Sequence, residues 1–214
     1  MAMLETKANS MIDALTAIEQ RRSVKHFDPH FVLPQADEDQ LIQTMMWAPT
    51  SFNIQNWRFV LIKDKTQREA IFQAAWQQAQ VKDASMLVVF CGNLHAALEQ
   101  PERYWRNAPQ EVQDYLVPKI PAFYENNLQA QRDEVHRSVG FAAQNLMIAA
   151  KAMGYDSCPM VGFDPVKVAE TIQLPKNHLI SMMVTVGKAI QPARPRGGQL
   201  ERSEVCFVDR FPSD

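Results

Sequence analysis

The chain has 214 residues, of which 46% are hydrophobic and 21% charged, the balance of an ordinary globular protein with one sizeable core. Its formal charge of −2 exerts no overall pull on nucleic acid or an anionic membrane, so any anion site has to be local. Cys91, Cys158 and Cys206 are odd in number and far apart, which suits neither a metal site nor a disulfide framework and favours a reducing compartment. No apolar run reaches the ~18 residues a spanning helix needs, and Met1–Lys7 lacks the charged start and apolar core of a signal peptide. The cytoplasm is the expected location, with no membrane or nucleic-acid partner.

A first helix is expected from Ser10 and Asp13, with Ile12, Leu15 and Ile18 as an apolar stripe, ending near Ser23. Pro34 and Asp37 open a second, with Leu41, Ile42, Met45 and Met46 on one face and Pro49 ending it. Trp57–Ile62 is almost continuously apolar and is expected to be a central strand buried on both faces. Thr66 and Glu69 suggest a capping box for a helix carrying Ala70, Ile71, Ala74 and Ala75. Met86–Cys91 is a second buried strand.

Residues 98–132 change character. Pro101, Pro109, Pro118 and Pro121 are interleaved with Tyr104, Trp105, Tyr115, Phe123 and Tyr124. This predicts an insertion of short helices, the kind of segment that forms a lid. Val139–Met153 is apolar nearly all round, which predicts a fully buried helix stopped by Gly154. Asp164-Pro165 starts another helix, Leu179–Val186 is a third buried strand, and Val205–Val208 a short fourth. Strands interleaved with helices predict a single domain over 1–214, an α+β or α/β sandwich with helices on both faces. Only 7 glycines are present, and no G-x-G-x-x-G follows a strand, which disfavours dinucleotide-binding and P-loop folds.

The polar residues that stand out are cations. Arg21, Arg22, Ser23 and Lys25 gather where the first helix ends, and Arg21, Ser23 and Lys25 alternate, so an extended backbone would put them on one side. Such a cluster suits a phosphomonoester, although alone it is also a solvated cationic helix end. Gly187-Lys188-Ala189-Ile190-Gln191-Pro192-Ala193-Arg194-Pro195-Arg196 follows a buried strand and holds two more arginines in a stiff, extended segment. His26, His30, His95, His136 and His178 are scattered, and no nucleophile–base pair or metal-ligand spacing is present.

Together with Ala48-Pro49-Thr50-Ser51-Phe52-Asn53-Ile54-Gln55-Asn56-Trp57, these stretches resemble the nitroreductase superfamily of homodimeric flavoenzymes. The resemblance runs from about Thr16 to the C-terminus. It implies a three-layer α-β-α sandwich with a central mixed sheet, and FMN bound between subunits. It implies that Arg21, Arg22, Ser23, Lys188, Arg194 and Arg196 serve the phosphate, with Lys25 near N1–O2 of the ring. Pro49, Thr50, Ser51 and Asn53 become contacts made from the partner subunit. Gln77 and Gln80 take the places of amides at the pyrimidine edge, although glutamines there are as readily solvated. Pro159, Met160, Val161 and Gly162 match the loop beside N5, with valine where many relatives have glutamate. An arm over about 190–214 would cross to the partner, its Val205–Val208 strand pairing with the partner's sheet edge.

The activity implied is transfer of hydride from NADH or NADPH to flavin N5 and on to a nitroaromatic, quinone or related acceptor, in a ping-pong cycle. The flavin carries the chemistry, so no catalytic side chain is expected. Phe52, Phe123 and Tyr124 are the candidate substrate contacts, Phe52 from the other subunit. Other readings within the same resemblance are a flavoenzyme with a dedicated substrate, such as a heterocycle dehydrogenase or dehalogenase, and a non-catalytic FMN-binding protein.

Overall fold

The structure is a computed structural model describing residues 11–212. Ser10, expected to begin the first helix, lies outside the described residues. Four strands, β1 (Trp57–Leu61), β2 (Met86–Asn93), β3 (Asp156–Met160) and β4 (His178–Gly187), form one sheet in the order β1-β2-β4-β3. Every residue of β2 is buried. Its alternation feeds two separate cores: Met86, Val88 and Phe90 face one, and Leu87, Val89 and Cys91 the other.

The first core is closed by α7 (Leu128–Ala152), with α2 (Gln35–Met46) and α1 (Ala14–Gln20) packed on it. The second is closed by α3 (Lys65–Ala74) and α8 (Pro165–Thr171), which pack together. The result is the expected three layers. Short helices α4 (Ala79–Asp83), α5 (Gln110–Leu116), α6 (Lys119–Tyr124) and α9 (Arg202–Val205) complete the chain.

Several local expectations change. The sheet is not mixed: all its strand pairs are antiparallel, and the parallel pairing present is an isolated bridge between Ser23 and Ser157. The excursion through α3 and α4 returns the chain to the end of the sheet it left, where the Ile62 N–H bonds Leu87 O at 3.0 Å, so β2 runs back along β1. For the same reason β1 lies at an edge rather than in the centre. Strand β3 reads in the sequence only as a loop, because Cys158-Pro159 breaks the strand pattern; an edge position tolerates the missing N–H.

Asp64, not Thr66, caps α3, accepting from the Gln67 N–H. Helix α7 begins at Leu128 under an Asn127 cap, so it absorbs the last residues assigned to the insertion. Gly154, with φ 81°, provides the left-handed stop after α7, and Asp164 caps α8 with Pro165 in its first turn. On α1 it is Ala17 that is buried, while Leu15 and Ile18 point outward. The tail differs as well: Arg202–Val205 is a helical turn with its own capping box, not part of a strand, and residues 206–212 are exposed.

Candidate functional site

Helix α1 ends at Arg21, which leaves the helix with φ −59° and ψ 128°. The following segment is held extended. The Val24 N–H bonds Ser157 O at 3.0 Å, the Asp28 N–H bonds Lys188 O at 2.8 Å and the Ile190 N–H bonds His26 O at 3.1 Å. Val24 and Phe27 turn inward as buried anchors, and Ser23, Lys25 and His26 are left outward. The alternation expected of this stretch is therefore present, fixed by tertiary pairing with β3 and with the segment after β4.

Ser23 and Lys25 open into a cleft of about 850 Å³ together with Arg21, Arg22, Gln80, Arg194 and Arg196. Five of its lining residues are lysine or arginine and none is a carboxylate, although the chain as a whole is slightly acidic. Two of the cations are used to build the wall: Arg22 donates to Arg194 O, and Arg196 Nη2 donates to Glu19 O at 2.9 Å. Arg21 Nη1 is buried with no hydrogen-bond partner among the described residues. A buried guanidinium N–H needs an acceptor, and a phosphate oxygen fits it. Gly197, Gly198 and Gln199 add backbone to the rim.

Just before the residues of α4 that line the cleft, Trp76 and Gln77 take left-handed φ values of 54° and 56°. That turn moves the amide expected from Gln77 to Gln78. Gln78 lines the cleft, and its Nε2 donates to Gly162 O at 2.7 Å. Gln80 lines it too; only 3% exposed, it donates to Gln78 Oε1 at 3.0 Å. Gln77 instead bonds Gln73 on the exposed face of α3. A chain of amides thus ties the start of α4 to the loop after β3. In that loop a Cβ on Gly162 would meet the Trp76 ring at 3.1 Å, so glycine is what allows the indole to lie against the backbone. Val161 is exposed at the tip, Pro159 is partly buried, and Met160 is a core residue. The Met160 side chain is turned inward by its place in β3, so only its backbone is left to face the cleft side of the loop. Beside it, burial raises the Cys158 thiol pKa while Lys25 and Arg21 oppose the shift.

Lys188 is also corrected. It lies outside the cleft: its Nζ donates to Gly154 O at 2.8 Å and sits 5.3 Å from the Tyr155 ring centroid. There it bonds the turn that follows α7.

Pro49, Thr50, Ser51 and Asn53 do not line the cleft of their own chain. They form a separate loop with unusual backbone: Phe52, Asn53 and Gln55 have φ 50°, 56° and 41°. For phenylalanine and glutamine that region is strained, and only surrounding contacts can maintain it. Those contacts are explicit. Thr50 Oγ1 accepts the Gln55 N–H at 3.0 Å, Asn53 Nδ2 donates to Tyr104 O at 2.9 Å, and Trp105 Nε1 donates to Phe52 O at 3.0 Å. Glu134, buried in α7, accepts the Ser51 N–H at 3.0 Å and the Ser138 hydroxyl at 2.8 Å.

The insertion therefore holds this loop. Tyr124 is buried against Ile54, Tyr104 and Ile120, so its expected contact with substrate is corrected: it is an anchor. Phe123 is 59% exposed and lies 5.8 Å from the Phe52 ring, leaving these two as the available aromatic pair. Sequence reasoning missed Gln78, His26, Trp76 and Glu134. Nothing in the sequence marked Glu134, which lies before the run read as the buried helix and inside α7 in the structure. Nothing local marks the turn at Trp76.

Known proteins share this fold. The model of the Nitroreductase family matches residues 18–188. Protein DrgA of Synechocystis is 52% identical over 182 residues, covering 85% of this chain and 87% of that protein. An oxygen-insensitive NADPH nitroreductase of Helicobacter pylori is 27% identical over 200 residues, covering 89% and 94%. A structure from Exiguobacterium sibiricum, described as a candidate nitroreductase in complex with FMN, superposes with a TM-score of 0.86 at 27% identity, covering 94% of this chain and 99% of that one.

Proposed function

This chain belongs to the nitroreductase family, and we propose that it passes hydride from NADH or NADPH through FMN to nitroaromatic, quinone or related acceptors in a ping-pong cycle. It is an NAD(P)H-dependent oxidoreductase of the family that uses FMN, and FMN supplies a ring nitrogen that takes and gives hydride. The observation that carries the cofactor assignment is the cleft with five cations, no carboxylate and an unpartnered, buried Arg21 Nη1.

The side chains then divide the work. Arg21, Ser23 and Arg196 would hold the phosphate as donors, Arg22 keeps the arm at Arg194 in place, and Lys25 would favour the negative charge a flavin ring gains on reduction. Gln78 and Gln80 fix the loop at Val161 and Gly162, presenting backbone where the ring edge would lie. Among the described residues no group of His, Cys, Asp and Glu is arranged to hold a metal.

The assembly we favour is a homodimer. The loop 49–53 is absent from its own cleft, and Leu15, Trp47 and Phe141 leave apolar surface outward on or next to the helices of one layer. Its partner would bring that loop over the ring, and the exposed arm from Ile190 would cross in return. No described helix is long and apolar enough to cross a membrane, and three free thiols support a reducing, cytoplasmic setting. Absorption of the purified protein, followed by anaerobic titration with NADH and NADPH, tests the activity. Bound flavin that neither nucleotide bleaches would leave only a binding protein.

A further inference from the structure

A second cleft, of about 650 Å³, lies at the other end of α4 and shares no lining residue with the first. Gln78 to Gln80 face the first cleft and Lys82 to Ser85 the second. Its wall sets Pro29, Phe31 and Val32 opposite charged groups from α3, α4 and the end of β1.

The charges are unbalanced. Lys63, Lys65, Arg68 and Lys82 face only Glu69 and Asp83. Lys63 is paired with Glu38 at 2.6 Å and Lys82 with Glu69 at 3.6 Å. Lys65 and Arg68 have no ion-pair partner within 4.0 Å among the described residues. Arg68 spends its Nε on Val81 O at 2.9 Å, and its Nη2 is buried without a partner. Burial lowers the guanidinium pKa, and the charge of Asp83 only offsets this in part. A largely desolvated cation without a bonded anion is a standing cost that a bound acceptor relieves.

We infer that this cleft is a binding site for a small organic carboxylate, its head group taken by Arg68 and Lys65 and its apolar body lying against Pro29, Phe31 and Val32. With Lys63 and Lys82 already paired, Arg68 and Lys65 are the cations left to take one carboxylate head group. The apolar wall gives a reason for an organic body rather than a bare ion.

The test uses the purified protein saturated with FMN, so that the first cleft is filled. Sodium benzoate is titrated calorimetrically, with inorganic phosphate as the comparison. Expected is saturable benzoate binding that weakens about tenfold in Arg68→Gln, the scale of one lost charge-assisted hydrogen bond, and weakens in Lys65→Ala as well. Lys65→Ala alters an exposed side chain and carries the test if Arg68→Gln fails to fold. No saturable binding up to about 10 mM benzoate, equal affinity in the wild type and the variants, or preferred binding of phosphate overturns the inference.

Discussion

Glu134 in α7 accepts a hydrogen bond at 3.0 Å from the backbone N–H of Ser51, 83 positions earlier in the chain. The carboxylate is almost fully buried, and it is also bonded by Ser138 and paired with Arg137. It therefore joins the long central helix to a loop whose backbone is strained at Phe52 and Gln55. Removing the acceptor leaves a buried N–H and a hydroxyl unpaired. Glu134→Ala is expected to cost roughly 2–4 kcal/mol of stability and to lower FMN retention together with dimerisation. Urea unfolding and gel filtration of the FMN-loaded variant read both. A variant as stable as wild type, with full FMN, would show that the loop holds its shape without this bond.

In the first cleft Arg21 has a buried donor without a partner among the described residues, and Arg196 has already spent one donor on Glu19 O. Arg21→Ala is therefore expected to weaken FMN binding by about 1.5–3 kcal/mol, the range for a hydrogen bond to a charged group. Arg196→Ala should fall in the same range and also loosen the arm. Fluorescence titration of apoprotein with FMN measures both. Unchanged affinity in both variants removes the phosphate assignment.

Phe123 and Tyr124 are neighbours in sequence with opposite fates. Tyr124→Ala empties a buried site beside Ile54 and Ile120 and should destabilise the protein by about 3–5 kcal/mol. Phe123→Ala, at an exposed position, should leave unfolding midpoints within about 0.5 kcal/mol while changing relative kcat/KM among quinones and nitroaromatics. Identical rates for every acceptor would make Phe123 scaffold as well.

Burial pushes the Cys91 thiol up from 9.0 to about 12, and burial with the Asp37 hydrogen bond pushes the Tyr155 hydroxyl up from 10.0 to about 12. Both folded values are raised, so the unfolded chain loses these protons first. Their contribution is intact below about pH 9 and declines as pH rises toward about 12, where the folded groups also ionise. Urea unfolding across that alkaline range should show the fall. Tyr155→Phe should flatten its upper part from about pH 10. A wild-type stability that stays level across the whole range would mean that neither group binds its proton more tightly in the folded protein.

Much of this molecule could be read from local pattern. Continuous apolar runs announced β2 and β4, because a strand buried on both faces needs no alternation. Asp164-Pro165 and Gly154 marked helix ends by chemistry that acts within a few residues. The alternation of Arg21, Ser23 and Lys25, with two arginines after a buried strand, was enough to pick out side chains that line one cleft. What tertiary structure alone decided were the relations between distant segments. Whether β1 was central or an edge depended on where α3 and α4 return the chain, and Pro159 sits in a strand only because β4 supplies the ladder. Lys188 was diverted from the cleft by the Gly154 carbonyl in the turn after α7, and Gln77 by the left-handed turn at Trp76. Hydrophobicity and capping are short-range signals written residue by residue. The direction in which one polar side chain points depends on acceptors that folding brings in from elsewhere in the chain.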